Sequence, residues 1–211
     1  MADWVTISSL ATAGGTLVLG VATFAAVRSA NRSARVAERA FAATVRPVLV
    51  LARDEDPEQR VPFVDGHRLA AHGAHAGVET DGATVWLALA LRNVGSGLAV
   101  LDRWAVELDW ERRLAPPRDP EAFRRLTRDL YIAADDVGFW QGALRGADDG
   151  DSAAVRDAIA ARRPFAVDVL YADHEGGQRT VTRFGVLPQE DGAGWAAAIA
   201  RHWNLDRPDP R

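Results

Sequence analysis

The chain contains no cysteine and no lysine. Without cysteine there is no disulfide, no thiolate metal site and no cysteine nucleophile. Without lysine a phosphate-binding loop loses its G-K-[ST] ending. All 25 Lys+Arg positions are arginine, which reflects a GC-rich genome and carries no functional signal. Other signatures are missing too. There is no H-E-x-x-H zinc motif and no G-x-S-x-G nucleophile elbow. Gly95-Ser96-Gly97 is too short for that elbow and sits in a strand-to-strand turn. Asp148-Asp149-Gly150-Asp151 has the wrong order for a calcium-binding loop and lacks the glutamate at its end. It reads as a polar turn running into a helix cap. No catalytic motif rises above background, and no cofactor is expected.

Charge is absent from one further place, the stretch between Trp4 and Val27. A secretory signal would begin with a basic residue and carry a shorter apolar run. A soluble helix would show a polar face. Here Val5, Ile7, Leu10, Leu17, Val18, Leu19, Val21, Phe24 and Val27 surround the segment on all sides. Residues 5–27 at 1.5 Å rise reach roughly 35 Å, enough to cross a bilayer core of about 30 Å. The expectation is a transmembrane anchor over residues 1–27, with the span at about 5–27. Ser8, Thr12, Thr16 and Gly20 recur every four residues, a stripe that would let two spans approach closely as a homodimer.

Arg28, Arg32, Arg35 and Arg39 follow the span, while Asp3 precedes it. The positive-inside rule then puts the N-terminus outside and the rest of the chain in the cytoplasm. Spacings of four, three and four place these arginines on one stripe of a basic juxtamembrane helix, residues 28–46. That stripe either faces anionic lipid headgroups or is simply the stop-transfer flank. Residues 1–46 carry a net +3, and the remainder carries −7. An acidic globular part argues against a nucleic-acid partner.

Arg46-Pro47 should end the helix, because the residue before proline disfavours helical backbone. "PVLVLA" reads as a short strand, and residues 63–83, rich in glycine and histidine, as a short strand and a loop. "TVWLALALR" is apolar on both faces, as suits a central strand covered on both sides. Asn93, Gly95 and Gly97 then make a tight reversal. In "LAVLDRWAVELDW" a half-buried alternation follows. Asp119 is expected to cap a short helix with Pro120 at its first position and Phe123 and Leu126 facing inward. Asp151 or Ser152 should cap a second, ending near Arg163. Phe165, Val167, Val169 and Tyr171 form one face of a hairpin that turns at Gly176-Gly177 and returns from Thr180. Residues 194–203, with Trp195, Ile199 and Trp203, fit either a helix or a strand, and strand is favoured. Residues 206–211 form a tail. Seven or eight strands without βαβ alternation point to a mainly β domain over residues 47–205, an immunoglobulin-like antiparallel β-sandwich with short inserted helices.

This arrangement resembles a loose group of uncharacterised bacterial, especially actinobacterial, single-pass membrane proteins with a small β domain. The residues that carry the resemblance are Asn93, Gly95, Gly97 and Ala99 in one turn, and Tyr171, Asp173, Gly176 or Gly177, and Thr180 in a hairpin. The resemblance implies a fold and a location, and no activity.

The reading that fits best is a membrane-anchored, non-catalytic cytoplasmic module that binds or scaffolds an unknown protein partner. Two alternatives stand beside it. One is a metal-binding enzyme or sensor using His67, His72 and His75, since three histidines can make a zinc site. The other is the same domain facing outside the cell. Six tryptophans, Trp86, Trp104, Trp110, Trp140, Trp195 and Trp203, are expected mainly in the core.

Overall fold

A computed structural model describes residues 4–82, 84–146, 150–190, 192 and 194–206, with side chains from residue 13 onward except at 39 and 41–44. The chain divides into two units, Met1–Thr44 and Val45–Arg211.

The first unit is one helix, α1 (Trp4–Thr44), of 41 residues. At 1.5 Å per residue it is roughly 60 Å long, about twice a bilayer's hydrocarbon thickness. No proline interrupts it. Its segment Ala13–Glu38 is long and apolar enough to cross a membrane. Leu17, Val18, Leu19, Val21, Phe24 and Val27 are each more than half exposed. The helix stops at Thr44, two residues short of the expected 46. Val45 and Arg46 belong to the second unit, where Ser96 N–H donates to Arg46 O at 3.2 Å.

The second unit is an antiparallel β domain. Its strands are β1 (Leu49–Leu51), β2 (Gln59–Pro62), β3 (Arg68–Ala71), β4 (His75–Asp81), β5 (Thr84–Asn93), β6 (Ala99–Glu107), β7 (Arg124–Ile132), β8 (Val137–Leu144), β9 (Phe165–Ala172), β10 (Thr180–Pro188) and β11 (Trp195–Asn204). One helix, α2 (Gly150–Ala160), lies between β8 and β9. Nine strands form a single curled sheet in the order β1-β5-β4-β11-β10-β9-β6-β7, with β8 on β5. Residues 85–89 of β5 pair with both β4 and β8, and residues 91 and 92 pair with both β1 and β8. So β1 and β4 share one edge of β5, and β8 takes the other. The sheet turns its corner through Trp195↔Ala76 and Ala196↔His75.

Curling brings the two halves of the sheet face to face. Trp104 on β6 and Trp140 on β8 meet edge to face, with ring centroids 5.3 Å apart at 72°, although their strands are not neighbours. Phe165 and Trp195 approach to 5.7 Å in the same core. Aromatic pairs of this kind add about 0.5–1.5 kcal/mol beyond the area they bury.

The two-faced apolar pattern of β5 has a clear cause. Val85, Leu87, Leu89 and Leu91 enter the main core. Trp86, Ala88 and Ala90 face the other way, against Val61, Phe63, Leu69 and Ala71 of the β2–β3 hairpin. A third cluster joins Ala105, Phe123, Leu170, Val181 and Trp203 on the outer side of β9 and β10. Five of the six tryptophans expected in the core are buried; Trp110 is half-buried.

Several local expectations change. Asp119 does cap a turn, accepting from Glu121 N–H, and Pro120 is in the first position. The turn is a single 3-10 turn, however, and the chain continues as β7 from Arg124. Phe123 is buried and Leu126 only half-buried. Asp151 and Ser152 lie inside the first turn of α2 rather than before it. Residues 194–203 form most of β11, so the favoured strand reading holds. Residues 63–83, where a short strand and a loop were expected, carry two strands, β3 and β4, and β2 precedes them.

Beside β1, Asp56 accepts from the Arg92 guanidinium and from Arg53 N–H at 2.8 Å. The hydrogen bond from Arg92 is the main reason its carboxyl is held down at about 2. A depressed folded-state value contributes stability above the unfolded value of 3.8 and loses it as pH falls towards about 2. In Arg92→Gln the Asp56 titration midpoint should rise towards 3.8, read by NMR. A midpoint still near 2 would mean that the backbone donor from Arg53 suffices.

Candidate functional site at the entry to the domain

The residues that carry the sequence resemblance do not form a pocket. Five of them, Asn93, Gly95, Gly97, Tyr171 and Thr180, converge on the first residues of the domain, 45–49. Asn93 ends β5 and is fully buried. Its Oδ1 accepts from Val48 N–H at 3.1 Å and Gly95 N–H at 3.0 Å. Its Nδ2 donates to Gly97 O at 2.6 Å and Ile132 O at 3.1 Å. The side-chain amide thus fills its four hydrogen-bonding positions. Its backbone adds two more bonds, Asn93 N–H to Asp136 O and Asp135 N–H to Asn93 O, each at 3.0 Å.

These partners explain the residue type. The chain crosses between sheet halves twice at this corner, after β5 and after β7, and it also enters the domain here. A short side chain with two acceptor sites and two donors can tie all three segments. The glycines serve the same approach. A Cβ on Gly95 would sit 2.2 Å from Arg46 O, and one on Gly97 would sit 1.7 Å from Val45 O. Both are well inside contact distance, so the two positions require glycine for proximity, not for an unusual φ.

The hairpin residues hold the same entry segment from the other side. Leu49 N–H donates to Tyr171 Oη at 3.2 Å. Tyr171 Oη lies 3.1 Å from Thr182 Oγ1, which lies 2.7 Å from His202 Nδ1. Arg46 donates to Thr180 Oγ1 at 2.8 Å and also bonds Asn204. Burial pushes the Tyr171 hydroxyl above its usual range, against the pull of its hydrogen bonds. That group is therefore kept neutral and out of solvent. Asp173 Oδ1 accepts from Glu175 and Gly177 N–H, closing the β9–β10 loop where Gly176 adopts φ +78°. The arrangement clamps a chain segment, and its one hydroxyl–imidazole contact, Thr182 Oγ1 to His202 Nδ1, belongs to that clamp.

The other residues singled out in the sequence fall elsewhere. Arg28, Arg32 and Arg35 are exposed on α1, and the Arg39 side chain lies outside the described residues. Thr16 and Gly20 are exposed on the same helix, while the Ser8 and Thr12 side chains lie outside the described residues. His67 parts from the other two histidines, whereas the His72 and His75 rings lie 6.5 Å apart, centroid to centroid. His67 stacks on Trp86 at 4.0 Å and places Nε2 2.9 Å from Glu79 Oε2. His72 Nε2 lies 2.8 Å from Asp54 O, and His75 Nδ1 lies 3.1 Å from Gln189 Nε2. Among the described residues no group of three or more His, Asp or Glu could hold a metal ion. Asp148 and Asp149 lie outside the described residues.

Arg46 and Asn204 escaped the sequence reading. Nothing local marks them: their partners are 134 and 158 residues away. No protein-family model matches the chain, and no curated protein matches it.

Proposed function

We propose that the chain is a single-pass membrane protein whose N-terminus lies outside and whose β domain works in the cytoplasm as a non-catalytic interaction or scaffolding module. One observation carries the anchor. Six large apolar side chains of α1, from Leu17 to Val27, are exposed all around the helix. In water such a surface would drive aggregation; lipid is the solvent that suits it. Arg28, Arg32 and Arg35 supply the flank that favours this orientation, and their heads reach headgroup phosphates. The stripe containing Thr16 and Gly20 would let a second copy approach within the bilayer.

The clamp at residues 45–49 supports the module reading. A tether that pulls on the domain does so through Val45, and the clamp spreads that pull over β5, β9, β10 and β11. The same proposal includes an immunoglobulin-like reading of the curled sheet, supported by halves that face each other across Trp104 and Trp140. A cytoplasmic scaffold for a protein partner is favoured over an enzyme because the polar cluster around Asn93 and Tyr171 is spent on the chain itself.

Because the chain has no cysteine, single introduced cysteines report sidedness cleanly. Ala2→Cys should react with a membrane-impermeant maleimide on intact cells, and Glu190→Cys only after lysis. The reverse pattern overturns the orientation. Release of the full chain from membranes by alkaline carbonate overturns the anchor.

A further inference from the structure

We propose that the domain binds a small organic carboxylate at the open seam between β7 and β8. These strands are the two ends of the curled sheet. Among the described ladders β7 pairs only with β6 and β8 only with β5, so each leaves one edge unpaired. Between them lies a cavity of about 190 Å³ lined by Arg124, Arg125, Thr127 and Gln141, with the rings of Phe63 and Trp104 as apolar walls.

Gln141 is the residue that asks for a ligand. Val137, Phe139 and Ala143, on the same face of β8, pack against the apolar cluster under the β2–β3 hairpin. Gln141 interrupts that face, is 3% exposed, and its Oε1 has no hydrogen-bond partner among the described residues. A buried amide left so is destabilising, because its desolvation is not offset by a hydrogen bond. The two ends of an amide are assigned by their surroundings, so the buried end equally well donates to an acceptor that a ligand brings.

Charge sets the ligand's sign. Arg124 is already engaged with Asp151 at 3.0 Å. Arg128 donates to Pro62 O and Arg145 to Asp65, both beyond the cavity lining. The Arg125 side chain makes no hydrogen bond or ion pair with any described residue, and it is exposed beside the cavity. One unengaged guanidinium beside a hydroxyl and an amide matches a monoanionic carboxylate, which takes a guanidinium fork on both oxygens. The volume is below the roughly 300–1,000 Å³ typical of drug-sized pockets. The indole and phenyl walls select a short, flat or apolar body behind the carboxylate. In a stretch, residues 47–211, with net −7, an anion site needs such a local concentration of arginine.

The test uses the full chain in a non-ionic detergent, titrated with benzoate and, separately, with inorganic phosphate, followed by calorimetry and tryptophan emission. Benzoate should saturate with a Kd on the order of 1 mM, and phosphate should bind at least about tenfold more weakly. Arg125→Gln, at an exposed site, should weaken benzoate about tenfold or more by removing a charge-assisted hydrogen bond. Thr127→Val should weaken it less, and Arg60→Gln, outside the cavity lining, should leave it unchanged. Absence of saturation by benzoate overturns the proposal. So does equal binding of phosphate, or full binding by a folded Arg125→Gln protein.

Discussion

Replacing Arg183 by methionine should lower domain stability by about 3–5 kcal/mol, the usual cost of removing one partner of a buried ion pair. The Arg183 and Asp168 side chains are 1% and 3% exposed. The guanidinium donates to both carboxylate oxygens, at 2.6 and 2.7 Å. It also donates to Arg112 O at 2.9 Å and Ala115 O at 3.2 Å, and lies 5.0 Å from the Trp203 ring centroid. One residue therefore pins the loop between β6 and β7 onto the outer face of β9 and β10. Burial pushes the Asp168 carboxyl up, and Arg183 opposes that push. Without Arg183 the opposition is gone, and the folded variant holds a proton that the unfolded chain releases above about pH 4. A raised folded-state value gives stability at low pH that is lost as pH rises. The Met variant should thus be closer to the parent at pH 5 than at pH 8. Thermal unfolding of the full chain in detergent should show a fall in Tm on the order of 10 °C. The double variant Asp168→Leu, Arg183→Met should recover much of it, because the uncompensated charge is gone. A single variant within about 2 °C of the parent at pH 8 would mean that water reaches the pair.

That pair marks where sequence reading succeeds and where it stops. Alternation made β5, β9 and β10 legible, because each buries at least one continuous face; β11, which buries mainly Trp195, Ala197 and Trp203, fitted helix and strand alike. Within "FAVDVLYA" and "TVTRFGV" the charges Asp168 and Arg183 interrupt that pattern, but nothing local says that they face each other. Their pairing follows from the register Arg183↔Asp168, which the hairpin turn sets. The segment from Phe123 failed for the opposite reason. Its arginines and leucines favour helix, yet ladder pairing with β6 pulls it into an edge strand, where both faces can remain polar. Strands β2, β3 and β4 are too short or too exposed to carry a readable period. The three histidines looked like one cluster because they are close in sequence. The β2–β3 turn carries His67 to Trp86, while His72 and His75 stay near each other beyond β3. At the entry site, Asn93, Gly95 and Gly97 were legible as turn formers, and their second task was not. Val48 lies 45 residues from Asn93, so only the closed sheet reveals that the turn grips the incoming chain.

Asn93→Ala should cost on the order of 4 kcal/mol and loosen the entry segment first. Four hydrogen bonds end on this side chain. A typical net bond contributes about 0.5–1.5 kcal/mol, and a buried group left unpaired costs about 1–3 kcal/mol. Alanine leaves the Val48 and Gly95 donors and the Gly97 and Ile132 acceptors without this partner in a corner too tight for easy water entry. Against a whole-domain stability of about 5–15 kcal/mol this is a large fraction. Native-state hydrogen exchange locates the effect. In Asn93→Ala the Val48 amide should lose protection more than the amides of β9 and β10. In Tyr171→Phe the Leu49 amide alone should lose its partner, at a global cost of about 1 kcal/mol. Gly97→Ala should loosen both, since its new methyl collides with Val45 O. This pattern separates a clamp from a general core defect: a core defect lowers protection across the sheet, whereas a failed clamp frees residues 45–49 while β9 and β10 stay closed. Uniform loss in Asn93→Ala would demote the corner to ordinary packing. Selective loss would place the weak point of the domain at the segment through which the chain enters it.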